Sequence, residues 1–288
     1  MKQKLAFLGT GLMGGPMARH LAAHYDVTVW NRSRNRADAL ADVAKVADTA
    51  EAAAQDAEIV ISMLIDGPTT RSVLRDGGVI EAAAEGALII DMASVEPDCD
   101  KALAGFAISL GKRFIDAPVS GGVKGAEEKT LSIFMGGEKS DVEAARPVLA
   151  HLGRPTHMGP LGTGQTAKLA NQLIVAVTIG AVAEAFTLAQ SAGCDLATLR
   201  GALRGGFADS RILDLHGQRM VEGNFVPGGR SVAQLKDLNN ALDVAAESAL
   251  KLPLSQTVRA AFDDFVKNKN GAEMDHAAYF LWLQQSQS

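Results

Sequence analysis

The feature that most constrains this chain is its first glycine cluster. Gly9-Thr10-Gly11-Leu12-Met13-Gly14 follows the β-rich run Leu5–Leu8 and leads into the helix-like stretch Gly15-Pro16-Met17-Ala18-Arg19-His20-Leu21. Strand, G-x-G-x-x-G turn and helix in that order open a βαβ unit. In such a unit Gly9 permits the tight turn, Gly11 admits a pyrophosphate to the backbone, and Gly14 lets helix and sheet close together. The free N–H groups and positive dipole end of the helix complete an anion cradle. Outside that context the same glycines are an ordinary turn. The context is present: β-rich runs recur at Val27–Trp30, Ile59–Leu64, Leu88–Met92, Phe114–Pro118 and Leu131–Met135, with helix-like stretches between most neighbours. This alternation predicts a parallel sheet covered by helices, a Rossmann-type α/β domain.

Beyond residue 164 the β-type runs stop and helical segments punctuated by Gly193, Gly205-Gly206, Pro227-Gly228-Gly229 and Pro253 take over. The expected organisation is a dinucleotide-binding domain over 1–163 and an all-α substrate and oligomerisation domain over 164–288, joined by a long interdomain helix over 165–190. Residues 168–190 are apolar around most of the helix circumference, which predicts burial against several neighbours. A helical region of that size covers such surfaces only in part, so a second subunit is expected to supply the rest, in a homodimer or homotetramer built through the α-domain. The longest apolar stretch, Leu173 to Ala183, already contains Thr178 and Gly180 and falls short of the roughly 18 residues of a membrane span, so no span is expected.

Composition removes other classes. With 47 % hydrophobic and 21 % charged residues the chain is globular rather than disordered. The 33 acidic against 28 basic residues leave a net charge of −5, without the cationic face that nucleic acid requires. Cys99 and Cys194 are far apart and lack metal-ligand spacing, so neither a disulfide framework nor a metal site is expected. Since the start also lacks the charged and apolar regions of a signal peptide, the expected setting is cytoplasmic.

The second β-run ends Val29-Trp30-Asn31-Arg32-Ser33. Asn31 stands where a fold that prefers NAD places a carboxylate for the ribose hydroxyls. Arg32 offers a planar charged fork for a 2′-phosphate, helped by the Ser33 hydroxyl and by Arg34 or Arg36. NADP(H) is therefore the expected cofactor, with NAD(H) the alternative; a solvated basic turn is the bland reading of the same residues.

Two later segments carry chemistry. In Asp116-Ala117-Pro118-Val119-Ser120-Gly121-Gly122 a strand leads into consecutive small residues whose N–H groups, beside a hydroxyl, suit a carboxylate, although an ordinary Ser-Gly-Gly loop reads the same way. In Gly162-Thr163-Gly164-Gln165-Thr166-Ala167-Lys168-Leu169-Ala170-Asn171-Gln172 a lysine enters an apolar helix, with Asn171 and Gln172 on its face. Desolvation lowers the pKa of such a lysine toward the range of a general acid or base, unless its head snorkels to solvent.

Taken with Lys236-Asp237-Leu238-x-Asn240-Ala241-Leu242, these four ordered motifs resemble the β-hydroxyacid dehydrogenase family almost from end to end. Lys168-Leu169-Ala170-Asn171-Gln172 is most similar to its tartronate semialdehyde reductase branch, as are Arg204-Gly205-Gly206, Phe225-x-Pro227-Gly228-x-Arg230, Leu252-Pro253-Leu254 and Asp275-His276-x-Ala278. The departures are Asn31-Arg32-Ser33 and Lys124 near the substrate mouth. The resemblance implies reversible hydride transfer between nicotinamide and a small 3-oxo acid, with Lys168 as general acid/base and Asn171 orienting the substrate or the lysine. It implies a substrate carboxylate held by Ser120, Gly121 and Gly122, with Gln172 and Asp237 completing the substrate side. Gly9, Gly11, Leu12, Met13, Gly14, Asn31, Arg32, Ser33, Met63, Leu64, Ser94 and Lys236 would hold the cofactor. Activities of the 3-hydroxyisobutyrate, succinic semialdehyde, glyoxylate or serine dehydrogenase type remain open alternatives, and an imine reductase or a non-catalytic NADP-binding protein stands further off.

Overall fold

The computed structural model describes residues 2–286. One sheet contains β1 (Lys4–Leu8), β2 (Asp26–Trp30), β3 (Lys45–Val46), β4 (Ile59–Ser62), β5 (Leu88–Asp91), β6 (Arg113–Asp116), β7 (Val119–Ser120), β8 (Leu131–Gly136) and β9 (Gly153–Gly159). The order β3-β2-β1-β4-β5-β6 is wholly parallel. Strands of this kind read as near-continuous apolar runs because helices cover both faces. Successive side chains along them feed two separate cores: Leu5, Phe7, Ile59, Ile61, Leu88 and Ile90 on one face, Ala6, Leu8, Val60 and Ile89 on the other. Among the helices over this sheet are α1 (Gly14–Ala22), α2 (Pro97–Ser109), α3 (Gly122–Glu128) and α4 (Lys139–Leu149). The winding reverses between β1 and β4, and the crevice beyond the carboxyl ends of these two strands is where open α/β sheets bind ligands.

The expected parallel sheet is present, with an antiparallel pairing added at one edge. There β8 runs antiparallel to both β6 and β7, and β9 then runs parallel to β8. Pro118 brings no N–H to extend the β6 ladder, so the chain turns into the two-residue β7 and returns through the seven-residue α3 rather than by a full crossover. Strand β9 carries no apolar alternation in sequence because it is an exposed edge strand, with Arg154, Thr156 and His157 in solvent and Pro155 beside them. Strand β4 stops at Ser62, which leaves Met63 and Leu64 in the loop beyond it.

The chain divides into two units between Lys168 and Leu169, inside the 29-residue helix α5 (Thr163–Ser191). The second unit is helical, with α6 (Leu196–Leu203), α7 (Arg211–Glu222), α8 (Ser231–Glu247), α9 (Pro253–Asn268) and α10 (Tyr279–Gln285). Its core joins Ala176, Ile179, Ala183 and Phe186 of α5 to Leu213, Leu238, Phe262 and Tyr279. Within one chain, burial of α5 is confined to this face. Ile174, Ala181, Ala185 and Leu188 stand exposed on the opposite face, Ile174 and Leu188 at 68 % and 74 %. Although no apolar run is long, the helix as a whole has the length and mean hydropathy, 1.8 over its most apolar window, of a membrane span. Its buried row packs in the helical core as a folded domain's central helix does.

Candidate active site

The glycine turn lies at the β1–β4 crevice. Gly9 has φ +99°, and a Cβ there would run into the Met63 carbonyl. A Cβ on Gly14 would overlap the Gly9 carbonyl and touch Phe7. Both glycines are therefore required by the protein's own packing. Gly11 differs: its added Cβ would meet only the Arg36 guanidinium, at an ordinary 3.6 Å. The space over Gly11 is room the fold does not use, as expected where a pyrophosphate approaches the backbone. Leu12 is exposed and Met13 half-buried on the same turn. Met63 and Leu64 border it, with the Met63 N–H donating to Leu8 and the Leu64 side chain 3.0 Å from where a Gly9 Cβ would lie. The residues present fit a dinucleotide.

The turn after β2 is fastened to this loop. The Gly9 N–H donates to the Trp30 carbonyl, the Thr10 N–H to Asn31 Oδ1 at 3.0 Å, and Asn31 Nδ2 to the Ser33 carbonyl. Asn31 thus spends its amide on shaping the pocket. Of the four cationic or hydroxyl candidates nearby, Arg34 is engaged by Asp38 and Asp48, whereas Arg36 reaches over Gly11. Arg32 and Ser33 are exposed at the turn.

On the other side of the crevice, Ser94 is half-buried between buried Ala93 and Val95. Gln165 fixes that loop from within: its Nε2 donates to the Ala93 carbonyl at 2.8 Å and its Oε1 accepts the Val95 N–H at 3.2 Å. Ser120 ends β7 opposite Ser132, followed by Gly121 at φ +140° and Gly122 at φ +64°, both exposed. Lys124 points to solvent and pairs loosely with Glu128 at 3.7 Å.

Lys168 is half-buried on α5, one helical turn before Asn171. In the helical unit Asn171 donates to Gln172 Oε1 at 2.9 Å, Gln172 donates to Asp237 Oδ2 at 2.7 Å, and Lys236 Nζ lies 3.3 Å from Asp237 Oδ1. Four predicted residues from two distant segments are thereby joined in one polar chain. Asp237 is buried, and Gln234 steadies the arrangement by donating to the Gln172 carbonyl.

Sequence reasoning missed a row of buried acids beneath these loops. Ser62, Asp91 and Asp116 stand in register at the ends of β4, β5 and β6, and all are fully buried. Asp116 accepts the Gly162 and Gln165 N–H groups at 2.8 and 2.7 Å, which seats the start of α5 on the sheet. Gly164 has no room for a Cβ beside it. Ser62 donates to Asp91 at 2.6 Å, and Gln165 donates to Asp100 of α2 at 2.8 Å. Burial raises the Asp91 carboxyl to about 6 and holds Asp100 well above the usual carboxylate range, where the charges of Asp91 and Asp116 add to the effect. Three apolar strand runs each closing on a polar residue, Ile-Val-Ile-Ser, Leu-Ile-Ile-Asp and Phe-Ile-Asp, were the available signal.

In the helical unit, His216, Asp275 and His276 have the makings of a metal centre. Asp275, however, already accepts the N–H groups of Gly228, Gly229 and Ala277, and Arg219 lies 3.8 Å away. The group works as a knot tying loop to helix. Two shallow clefts of about 330 and 380 Å³ in the same unit, one beside Arg259 and one beside Arg204 and Asp214, contain none of the predicted site residues.

Comparison with known proteins agrees with this geometry. Residues 4–162 match the NAD-binding domain of 6-phosphogluconate dehydrogenase, and residues 162–283 match the NAD-binding domain of NADP-dependent 3-hydroxyisobutyrate dehydrogenase. The chain is 41 % identical to the 2-hydroxy-3-oxopropionate reductase of Escherichia coli, over 98 % of this chain and 97 % of that one. Among solved structures, the 3-hydroxyisobutyrate dehydrogenase of Mycobacterium tuberculosis with L-serine is similar at a TM-score of 0.89 and 31 % identity, covering 99 % of this chain and all of that one. Psf3 in complex with NADP+ and 2-OPP is similar at 0.86 and 25 %, covering 97 % and 99 %.

Proposed function

We propose, from the premise that this chain belongs to the β-hydroxyacid dehydrogenase family of nicotinamide-dependent oxidoreductases acting on CH–OH groups, that it interconverts a small 3-oxo acid and its β-hydroxy acid with NADP(H), tartronate semialdehyde being the first candidate. The observation that carries this reading is Lys168, half-buried one turn before an Asn171 whose neighbour Gln172 is held by Asp237. Full-length identity to a 2-hydroxy-3-oxopropionate reductase supports the substrate.

When bound, the nicotinamide supplies or accepts the hydride. The chain's own residues do the rest. Ser120 and the Gly121 and Gly122 amides bind the substrate carboxylate, which fixes the carbonyl for attack. Lys168 holds a proton at Nζ, stabilises the negative charge growing on the carbonyl oxygen and delivers the proton there; in oxidation the neutral amine takes it back. Asn171 orients the lysine or the substrate, Gln172 and Asp237 set Asn171 and Lys236, and Lys236 serves the nicotinamide side. Arg32, Ser33 and Arg36 favour a 2′-phosphate, a preference supported by the NADP-dependent family matched in the second half and by the NADP+ complex among the structural relatives. The exposed apolar face of α5 supports a homodimer or homotetramer, and two free cysteines suit the cytoplasm as working compartment.

The test is oxidation of NADPH and of NADH against a panel of small semialdehydes and glyoxylate, with Lys168→Ala alongside. Turnover should prefer NADPH and fall by about 10²- to 10⁴-fold in the variant while NADPH affinity stays close to that of the parent. Equal losses of turnover and of cofactor affinity would remove the proton-transfer role.

A further inference from the structure

Gln165 is fully buried and uses nearly all of its hydrogen-bonding capacity. One amide hydrogen goes to the Ala93 carbonyl, the other to Asp100 Oδ2 at 2.8 Å, and the amide oxygen receives the Val95 N–H. It therefore grips the backbone on both sides of Ser94 while standing one helical turn before Lys168 on α5. No other side-chain type of this length offers two donors and an acceptor in one plane.

The geometry points to Gln165 as a positioning residue that holds the Ser94 loop and the Lys168 helix in one register, braced by a proton shared between the buried acids Asp100 and Asp91. The inference rests on the roles proposed above for Ser94 and Lys168.

The shared proton follows from the polar accounting. Asp91 Oδ2 and Asp100 Oδ1 are buried without an N–H or O–H partner, yet the two carboxyls are within hydrogen-bonding reach of each other. Two carboxylates only accept and repel, so one proton must lie between them. Asp91 already accepts from the Ser62 hydroxyl and the Ala93 N–H, which favours its charged form. The proton therefore sits on Asp100, which donates to Asp91 through one oxygen and accepts from Gln165 through the other. Every member then has a partner, and the row Ser62–Asp91–Asp100–Gln165 becomes a stiff link from the sheet to α5. Burial acting on Asp100 favours the same protonation.

The decisive experiment compares Gln165→Met, Gln165→Glu, Asp100→Asn and Asp100→Leu in the full chain, reading NADPH affinity by fluorescence titration and kcat and KM on the best semialdehyde. Gln165→Met keeps the shape and loses every hydrogen bond. It should lower kcat by about 10- to 100-fold, the scale of an ångström-level misplacement, and weaken NADPH by about 5-fold, the scale of one lost hydrogen bond. Gln165→Glu keeps the acceptor for Val95, lacks both donors when ionised and regains one of them when protonated, so its deficit should narrow without closing as pH falls; this arm carries the test if the methionine variant does not fold. Asp100→Asn, which mimics the neutral acid, should recover most of what Asp100→Leu loses. Kinetics of a folded Gln165→Met equal to the parent, a Gln165→Glu deficit that ignores pH, or Asp100→Asn as impaired as Asp100→Leu would each overturn the inference. If the parent turned over no semialdehyde, the reading of function would fail instead, and NADPH affinity across the same variants would still decide whether Gln165 sets the Ser94 loop.

Discussion

Asp100 in the N-terminal unit and Asp275 in the helical unit are both fully buried, yet burial holds the first well above the usual carboxylate range while the second lies well below it. The difference lies in what each acid meets. Asp100 faces other acids and one amide donor, so desolvation and like charge act together against its ionised form. Asp275 suffers desolvation too, but His216, the charge of His276 and backbone N–H groups including those of Ala277 and Gly229 outweigh it. Loss of water does not set the charge state of a buried acid; the sign and number of its replacement partners do.

The hardest test of this contrast is Asp275→Ala. It would orphan three backbone amides, that of Ala277 fully buried, and remove the counter-charge of Arg219. We expect a loss of about 3–5 kcal/mol in urea denaturation, the scale for breaking a buried charged pair. A loss under about 1 kcal/mol would mean that the knot around Asp275 is as dispensable as a surface pair.

The contrast sharpens with pH. Asp91, raised from 3.8 to about 6, contributes stability that is fully present below 3.8 and is lost as pH climbs through 6. Asp100, also raised, follows the same sign. Asp275, lowered, contributes stability that is present above 3.8 and lost only as acid drives pH down through its depressed value. Between pH 4 and 6 the N-terminal unit should therefore lose up to about 1.4 kcal/mol per pH unit for each titrating carboxyl, while Asp275 imposes no such slope on the helical unit. Peptide-resolved hydrogen exchange measures the two separately, and identical slopes would break the comparison.

The smallest effect concerns thiols. Burial, with Asp100, Asp91 and Glu96 beside it, pushes the Cys99 thiol up to about 12, whereas Cys194 is exposed. Alkylation of the native protein at pH 8 should label Cys194 quickly and Cys99 slowly. Fast labelling at both would mean that the acid cluster is more open to solvent than its geometry implies.

What was legible in the sequence was local. The glycine turn announced itself because Gly9, Gly11 and Gly14 lie within six residues and do their work there. Lys168 and Asn171 were legible for the same reason, being one turn apart on a helix. Gln172 and Asp237 were each named only through resemblance, and the bond between them was not legible at all, since 65 residues separate the partners. The acid row escaped because Asp91, Asp100 and Asp116 look like surface carboxylates until strand pairing sets two of them side by side. The antiparallel return of β8 and the edge strand β9 escaped because edge pairing is not written in apolar periodicity.

Gly11 has a consequence of a different kind. Because a methyl group there meets nothing closer than the 3.6 Å of Arg36, Gly11→Ala should leave melting behaviour unchanged while occupying the space a pyrophosphate needs. Thermal melts with and without NADPH would show it, since a ligand-induced shift present in the parent should vanish in the variant. Nature has thus left one position at which occupancy and integrity can be uncoupled. The resulting protein would be a matched blank for calorimetry, for inhibitor screening, and for telling in a cell what the molecule does by catalysis from what it does by being there.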